Sequence, residues 1–310
     1  MMKRGFEFSF TWIFVLIVGA AILVLAIFLV ARLVDREGAI YNTEVAAELG
    51  AALNPAGTIL ESAKYYPLSL PAETRISNDC DASSTFGEQE ISTQVKSGVG
   101  REWRLNGIPY RVSNHFIFSA PDLETQELHI VSAPVTLPYK VGDAITLYAG
   151  KLCFVNPPDS FKDAIMGLGA ESMIQASSRN ECPEGSMRIC FEGSGCEVMV
   201  QSSSTPHQGS LNKKGATFSY GEGLFYAALV SDSQLYTCQL ARIRKRASEL
   251  ASLYAEKNAF LETRGCSSSI TSALSMYRQE LLNPGISFTS LLNEAEALSD
   301  SNDRLACKIF

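Results

Sequence analysis

Read as a pattern of charge, proline and apolar spacing, the 310-residue sequence is that of an α+β protein. It has an N-terminal transmembrane helix extended outward, a β-rich extracytoplasmic domain, and a C-terminal helical hairpin or three-helix unit. Three observations carry this reading. Phe8 to Ala31 contains no charged residue. Ten of the twelve prolines lie between Pro55 and Pro183, and interior prolines break helices, so that region is read as strands and loops. From Leu235 to Leu261 there is neither proline nor glycine, and apolar residues recur at helical spacing. The boundaries follow: 1–7 a cytoplasmic tail or leader, 8–33 the membrane helix, 34–54 a juxtamembrane helix, 55–233 the disulfide-containing β-rich domain, and 234–310 the helical unit.

Composition sets the class. The chain is 46% hydrophobic and 19% charged, below the usual ~25% charged, which excludes a disordered tail or linker. A net charge of −7 argues against a nucleic-acid binder, which would show a basic excess.

The uncharged stretch is 24 residues long, about 36 Å as a helix, against a bilayer core about 30 Å thick. A secretory signal would have a shorter apolar core followed by small residues, whereas this one ends Val30-Ala31-Arg32-Leu33. Trp12 suits a membrane interface. Lys3 and Arg4 on one side nearly balance Arg32 and Arg36 on the other, so basic residues do not orient the span. Cysteines do: all eight follow it, and disulfides persist outside the cytoplasm. The expected localisation is a single-pass cell-membrane protein with residues 1–7 cytoplasmic and the rest extracytoplasmic.

Lys3-Arg4-Gly5-Phe6, followed by a long apolar run, resembles the leader of type IV pilins. The resemblance covers roughly residues 3–53. It implies peptidase cleavage after Gly5, a mature chain beginning at Phe6, and assembly with other copies or other surface subunits through the N-terminal helix. The sequence departs from the family at the fifth mature position, where the usual glutamate is Phe10 and the nearest acid is Glu7. Residues 7–14 are also similar to the start of a group of uncharacterised archaeal single-span membrane proteins, which implies lineage and no function. A plain, uncleaved signal anchor stands beside the pilin-like reading.

Beyond the span, Leu33, Ile40, Ala47 and Ala51 share an apolar face that continues the helix toward Asn54-Pro55. Tyr110, Val112, Phe116 and Phe118 read as one alternating strand, Leu128 with Ile130 and Val135 with Leu137 as two more, and Ile145/Leu147 with Leu152/Phe154 as a pair around Ala149-Gly150. Residues 188–190 and 197–200 read as a hairpin, as does 217–230 around Gly221-Glu222-Gly223. In the helical unit, Tyr236, Leu240, Ile243, Ala247, Leu250, Tyr254 and Leu261 form one seam. A second helix runs from Ser267 to Leu282, and a third, capped by Ser287 or Thr289, runs to about Ala306. Arg242, Arg244, Lys245 and Arg246 read as a solvated face rather than a lipid or nucleic-acid contact, because residues 234–310 hold nine basic and eight acidic groups.

The cysteines are Cys80, Cys153, Cys182, Cys190, Cys196, Cys238, Cys266 and Cys307; none forms C-x-x-C, so they read as disulfide staples. Cys190 and Cys196 are placed to pair across their turn. Cys238 and Cys266 lie about 42 Å apart along one helix and cannot bond. Cys266 is expected to pair with Cys307, and one bond among Cys80, Cys153, Cys182 and Cys238 to tie the helices to the β region.

The search for chemistry returns no catalytic, cofactor-binding or metal-binding constellation. His115, His129 and His207 show no ligand spacing. Ser210-Leu211-Asn212-Lys213 matches S-x-x-K without a supporting K-T-G, and Asp79-Cys80-Asp81 is a weak cation pattern. The expected function is therefore a membrane-anchored cell-surface structural or binding protein without catalytic activity or cofactor, with the bilayer as its partner and no nucleic acid. The alternative is the pilin-like subunit.

Overall fold

A computed structural model describes residues 12–30, 49–51, 62–97, 102–105, 109–112, 115–266 and 269–310. Gly5 and Phe6 lie outside these residues, as does most of the 34–54 segment. The fold is α+β, with an N-terminal apolar helix, two β-sheets and C-terminal helices. Helix α1 (Trp12–Val30) has 19 residues, none buried, and is about 28 Å long at 1.5 Å per residue, enough to cross a bilayer core.

The first sheet runs β3 (Glu102–Leu105), β2 (Glu88–Ser97), β1 (Lys64–Asp81), β6 (Asp122–Thr136), β7 (Lys140–Tyr148), β5 (Phe116–Phe118), with β4 (Tyr110–Val112) also on β2. All pairings are antiparallel except β5 with β7. Ile76, Ile91, Ile117, Leu128, Ile130, Ile145 and Leu147, from five of its strands, share one apolar cluster and are at most 2% exposed. A flat sheet would present such a face to water. This one coils until β5 lies against the inner face of β1 and β2, where Asn78 and Gln89 bond it through their side chains. Residues 49–51 are helical, and Leu49 joins the same cluster.

The second sheet runs β13 (Ala216–Tyr220), β12 (Gly209–Lys213), β11 (Val198–Val200), β10 (Met187–Cys190), β8 (Leu152–Val155), β9 (Met173–Ala176). Its four strands from β11 to β9 are parallel. The crossover from β8 to β9 is helix α2 (Asp159–Leu168), which buries Phe161 and Ile165. Next come α3 (Phe225–Val230), whose six residues are all buried, then α4 (Ser233–Glu262), α5 (Ile270–Leu282) and α6 (Phe288–Asp303). Asp232 caps α4 by accepting from the Leu235 N–H at 2.8 Å, and Ser287 caps α6 by accepting from Ser290 N–H at 3.1 Å. The largest apolar cluster joins β6, β7, the second sheet and all of α2–α6, so the helices share a core with the strands.

Several sequence expectations are corrected. Residues 110–118 form two strands, because β4 pairs with β2 and β5 with β7. The two strands expected over 128–137 are the single strand β6, because its pairing with β7 runs on from His129 to Thr136. Strands β7 and β8 do not pair across Gly150: the chain changes sheets there, and β8, buried on both faces, joins the parallel sheet. Strands β10 and β11 are parallel, not a hairpin, because link 191–197 doubles back before β11 begins. The hairpin placed at 217–230 is instead β12–β13, turning at Lys214-Gly215 with φ of 51° and 80°, the geometry of a tight two-residue turn. Helix α2 lies inside the proline-rich region, directly after Pro158, because proline is tolerated where a helix starts.

Candidate functional site

An open cleft of about 810 Å³ lies where the first sheet meets the segment after α2; Tyr65, Glu127, His129, Lys151, Glu171 and Ser172 line it. Register explains the assembly. Opposed residues in a sheet share a face, and β1–β6 pairing sets Tyr65 against Val131 and Pro67 against His129. The β6–β7 pairing sets His129 against Tyr148 on the same face. Ser172 arrives from the other sheet. Helix α2 ends at Gly169 in the left-handed conformation, φ 62°, and the Leu152 N–H donates to the Ser172 carbonyl at 2.8 Å, fixing that segment.

Beneath the cleft runs a chain of polar contacts. Tyr148 Oη and Ser172 Oγ lie 2.8 Å apart, Ser172 Oγ donates to Tyr65 Oη at 3.4 Å, and Tyr65 Oη lies 2.9 Å from His129 Nδ1. The His129 ring stacks on Tyr65, with centroids 5.9 Å apart, and lies tilted against Tyr148 at 5.1 Å. Burial pulls the His129 pKa below its ordinary value, with Glu127 opposing, so the ring is neutral at pH 7. Burial raises Tyr148 well above the usual phenol range, so it keeps its proton. The layer under the cleft is thus uncharged and hydrogen-bonded, and the charges of Glu127, Lys151 and Glu171 stand on exposed rim residues.

A second open cleft, about 860 Å³, lies by Met187, Arg188, Glu197 and Lys213. Two of its cationic groups, Arg188 and Lys213, are already engaged, while Lys214 stands exposed beside them. Arg188 grips Glu197 at 2.6 Å, and Lys213 Nζ donates to the carbonyls of Ala228 (3.1 Å), Leu229 (2.7 Å) and Ser231 around the end of α3. Burial pushes Lys213 down to about 8.

All eight cysteines are in disulfides: Cys80–Cys238, Cys153–Cys182, Cys190–Cys196 and Cys266–Cys307, with Cα separations of 6.2, 5.7, 5.8 and 6.0 Å. Cys80–Cys238 ties β1 to α4, Cys190–Cys196 closes the link between β10 and β11, and Cys266–Cys307 joins the turn after α4 to the end of α6. His207 pairs with Glu222 on the surface at 2.7 Å. Ser210 and Lys213 are three apart on β12 and therefore point to opposite faces, which separates the S-x-x-K pair. The Asp81 carboxylate accepts from Ser83 N–H and Oγ–H, both at 2.8 Å, in a local turn.

The basic cluster on α4 is not a solvated face. Arg242 is 0% exposed: Nη1 donates to Gln89 Oε1, the His115 carbonyl and Gln239 Oε1, and Nη2 to the Val112 carbonyl. Arg244 forks onto carbonyls at the end of α5, Leu281 at 2.9 Å among them, and Lys245 donates to the carbonyls of Ala82 and Ser84. These side chains fasten α4 to its neighbours. The sequence offered His129 only as one of three histidines without ligand spacing. Tyr65, Tyr148 and Ser172 carry no local signal, since sheet register and a crossover bring them together.

No protein-family model matches the chain, and no curated protein and no solved structure matches it.

Proposed function

We propose that this chain is a single-pass, membrane-anchored cell-surface protein whose disulfide-stapled α+β body serves as a structural or binding module without catalytic activity. The observation that carries the reading is one pairing of features. An apolar helix of 19 residues stands fully exposed, and the chain after it holds eight cysteines, all in disulfides. Exposed apolar surface on that scale requires lipid in place of water. Stable disulfides favour an oxidising compartment, which puts residues 1–7 in the cytoplasm and the body outside. The bilayer is then the first partner. Membrane fractionation, protease shaving of intact cells and a non-reducing peptide map test this. The protein should resist carbonate extraction, the body should be released as a soluble monomer, and four internal disulfides should appear. Free thiols or protection from external protease overturn the topology.

One observation favours the pilin-like alternative as a second reading. Leu49 is helical and 3% exposed inside the first sheet, so a helical segment between the span and the strands packs into the body. A helical residue packed against the sheet soon after an apolar span suits a subunit that assembles through its N-terminal region. N-terminal sequencing of protein from its native membrane decides: a start at Phe6 supports cleavage after Gly5, and a start at Met1 or Met2 excludes it.

A further inference from the structure

We infer that the cleft built on Tyr65, His129 and Ser172 is a binding site for uncharged oligosaccharides, an inference that rests on the reading of the body as a surface binding module. Three properties of the cleft specify this class.

The first is the wall. Tyr65, Pro67 and Leu168 give an apolar lining beside the polar groups of Thr125, Glu127, Lys151 and Glu171. A sugar ring presents the matching pattern, apolar C–H faces edged by hydroxyls. Tyr65 is already fixed, stacked on His129 at an interplanar angle of 26° and bonded through its hydroxyl to both His129 and Ser172. A ligand therefore meets a preorganised ring whose ordering it need not supply.

The second is charge. The rim holds two carboxylates, Glu127 and Glu171, and one ammonium, Lys151. Helix α2 adds the negative end of its dipole at Leu168 and Gly169, which also line the cleft. This field repels phosphate, nucleic acid and acidic glycans. Carboxylates accept hydrogen bonds from neutral hydroxyls, and Lys151 donates them.

The third is shape. The volume lies within the ~300–1,000 Å³ of small-ligand sites and is larger than one sugar ring fills, and the cleft is open to solvent rather than enclosed, so a ligand of several sugars can extend out of it. An added peptide strand fits poorly, because β1 carries Pro67 and Pro71, residues that blunt a strand edge.

The test uses the full chain in phosphatidylcholine nanodiscs, because maltoside detergents would themselves compete. Neutral tri- to pentasaccharides of glucose, mannose, galactose and N-acetylglucosamine are titrated calorimetrically, alongside sialyllactose, a hyaluronan tetrasaccharide and inorganic phosphate. At least one neutral sugar should bind and the anionic probes should bind more weakly. Glu127→Gln and Glu171→Gln, both on the exposed rim and without risk to folding, should each weaken binding by about tenfold, as loss of a charge-assisted hydrogen bond does. Tyr65→Ala should abolish it, with its melting temperature measured in parallel. No neutral sugar bound, anionic probes bound equally well, or affinity indifferent to both rim variants overturns the inference. Nanodisc binding does not depend on which side of a cell membrane the body occupies. Failure here leaves the anchored-surface reading standing, and failed shaving leaves this result standing.

Discussion

The side-chain amide of Gln89 bonds both main-chain groups of Ile117: Nε2 donates to the carbonyl at 2.6 Å, and Oε1 accepts from the N–H at 3.0 Å. A neighbouring strand residue would make the same two bonds. Gln89 thus stands in for a strand where the coiled first sheet meets its own far end. The Gln239 side chain, from α4, donates to the same carbonyl at 3.0 Å, so the helix seals the junction.

Replacing Gln89 by leucine should therefore destabilise the body by about 2–3 kcal/mol, since the buried Ile117 N–H loses its acceptor. Thermal melts give the magnitude. Hydrogen exchange at Ile117 locates it, and unchanged protection there would mean that the junction is held by other contacts.

Arg242→Lys should lower stability by about 2–4 kcal/mol, because an ammonium cannot reproduce a planar fork that reaches Gln89, Gln239, His115 and Val112 at once. Lys245→Gln, nearer the surface, should cost less than about 1 kcal/mol. Denaturant midpoints compare the two variants. Equal effects would return the basic cluster to a solvated face.

The two best separated disulfides in loop length should differ in value. Cys80–Cys238 spans 158 residues and Cys190–Cys196 spans 6. The chain-entropy relation gives roughly 5 kcal/mol for the first and roughly 2 kcal/mol for the second. Alanine pairs at each bridge, compared by melting temperature, should show the larger loss for Cys80→Ala with Cys238→Ala.

Acid should weaken the fold through its histidines. Burial holds His115 and His129 below the ordinary value of 6.5 in the folded protein. Below pH 6.5 the unfolded chain binds more protons than the folded one, so stability falls as pH drops from 6.5 through the lower folded values. Above 6.5 both states are neutral at these sites and the contribution is flat. His129→Gln should flatten the profile of the melting temperature between pH 7 and 5, and an unaltered slope would assign the effect elsewhere.

Local chemistry in the chain determined much of this protein. The uncharged apolar run near the start reads as a helix long and apolar enough to cross a membrane, and α1 is that helix. The seam from Tyr236 to Leu261 and a cap at Ser287 or Thr289, which the structure resolves as Ser287, define the C-terminal helices, because period and capping act within a few residues. The spacing around Cys190 and Cys196, and the helical return that brings Cys307 near Cys266, were legible for the same reason. The tertiary structure alone decided which strands are neighbours: β5 beside β7, β10 parallel to β11, and β7 and β8 in different sheets. Alternation marks a strand but names no partner. It also decided that Arg242 lies inside, since charge count cannot reveal that a helix face closes a coiled sheet. The cleft belongs to the same category. Tyr65, His129, Tyr148 and Ser172 are distant in sequence, and long-range pairing, set by the burial of both sheets against one core, is what brings them together.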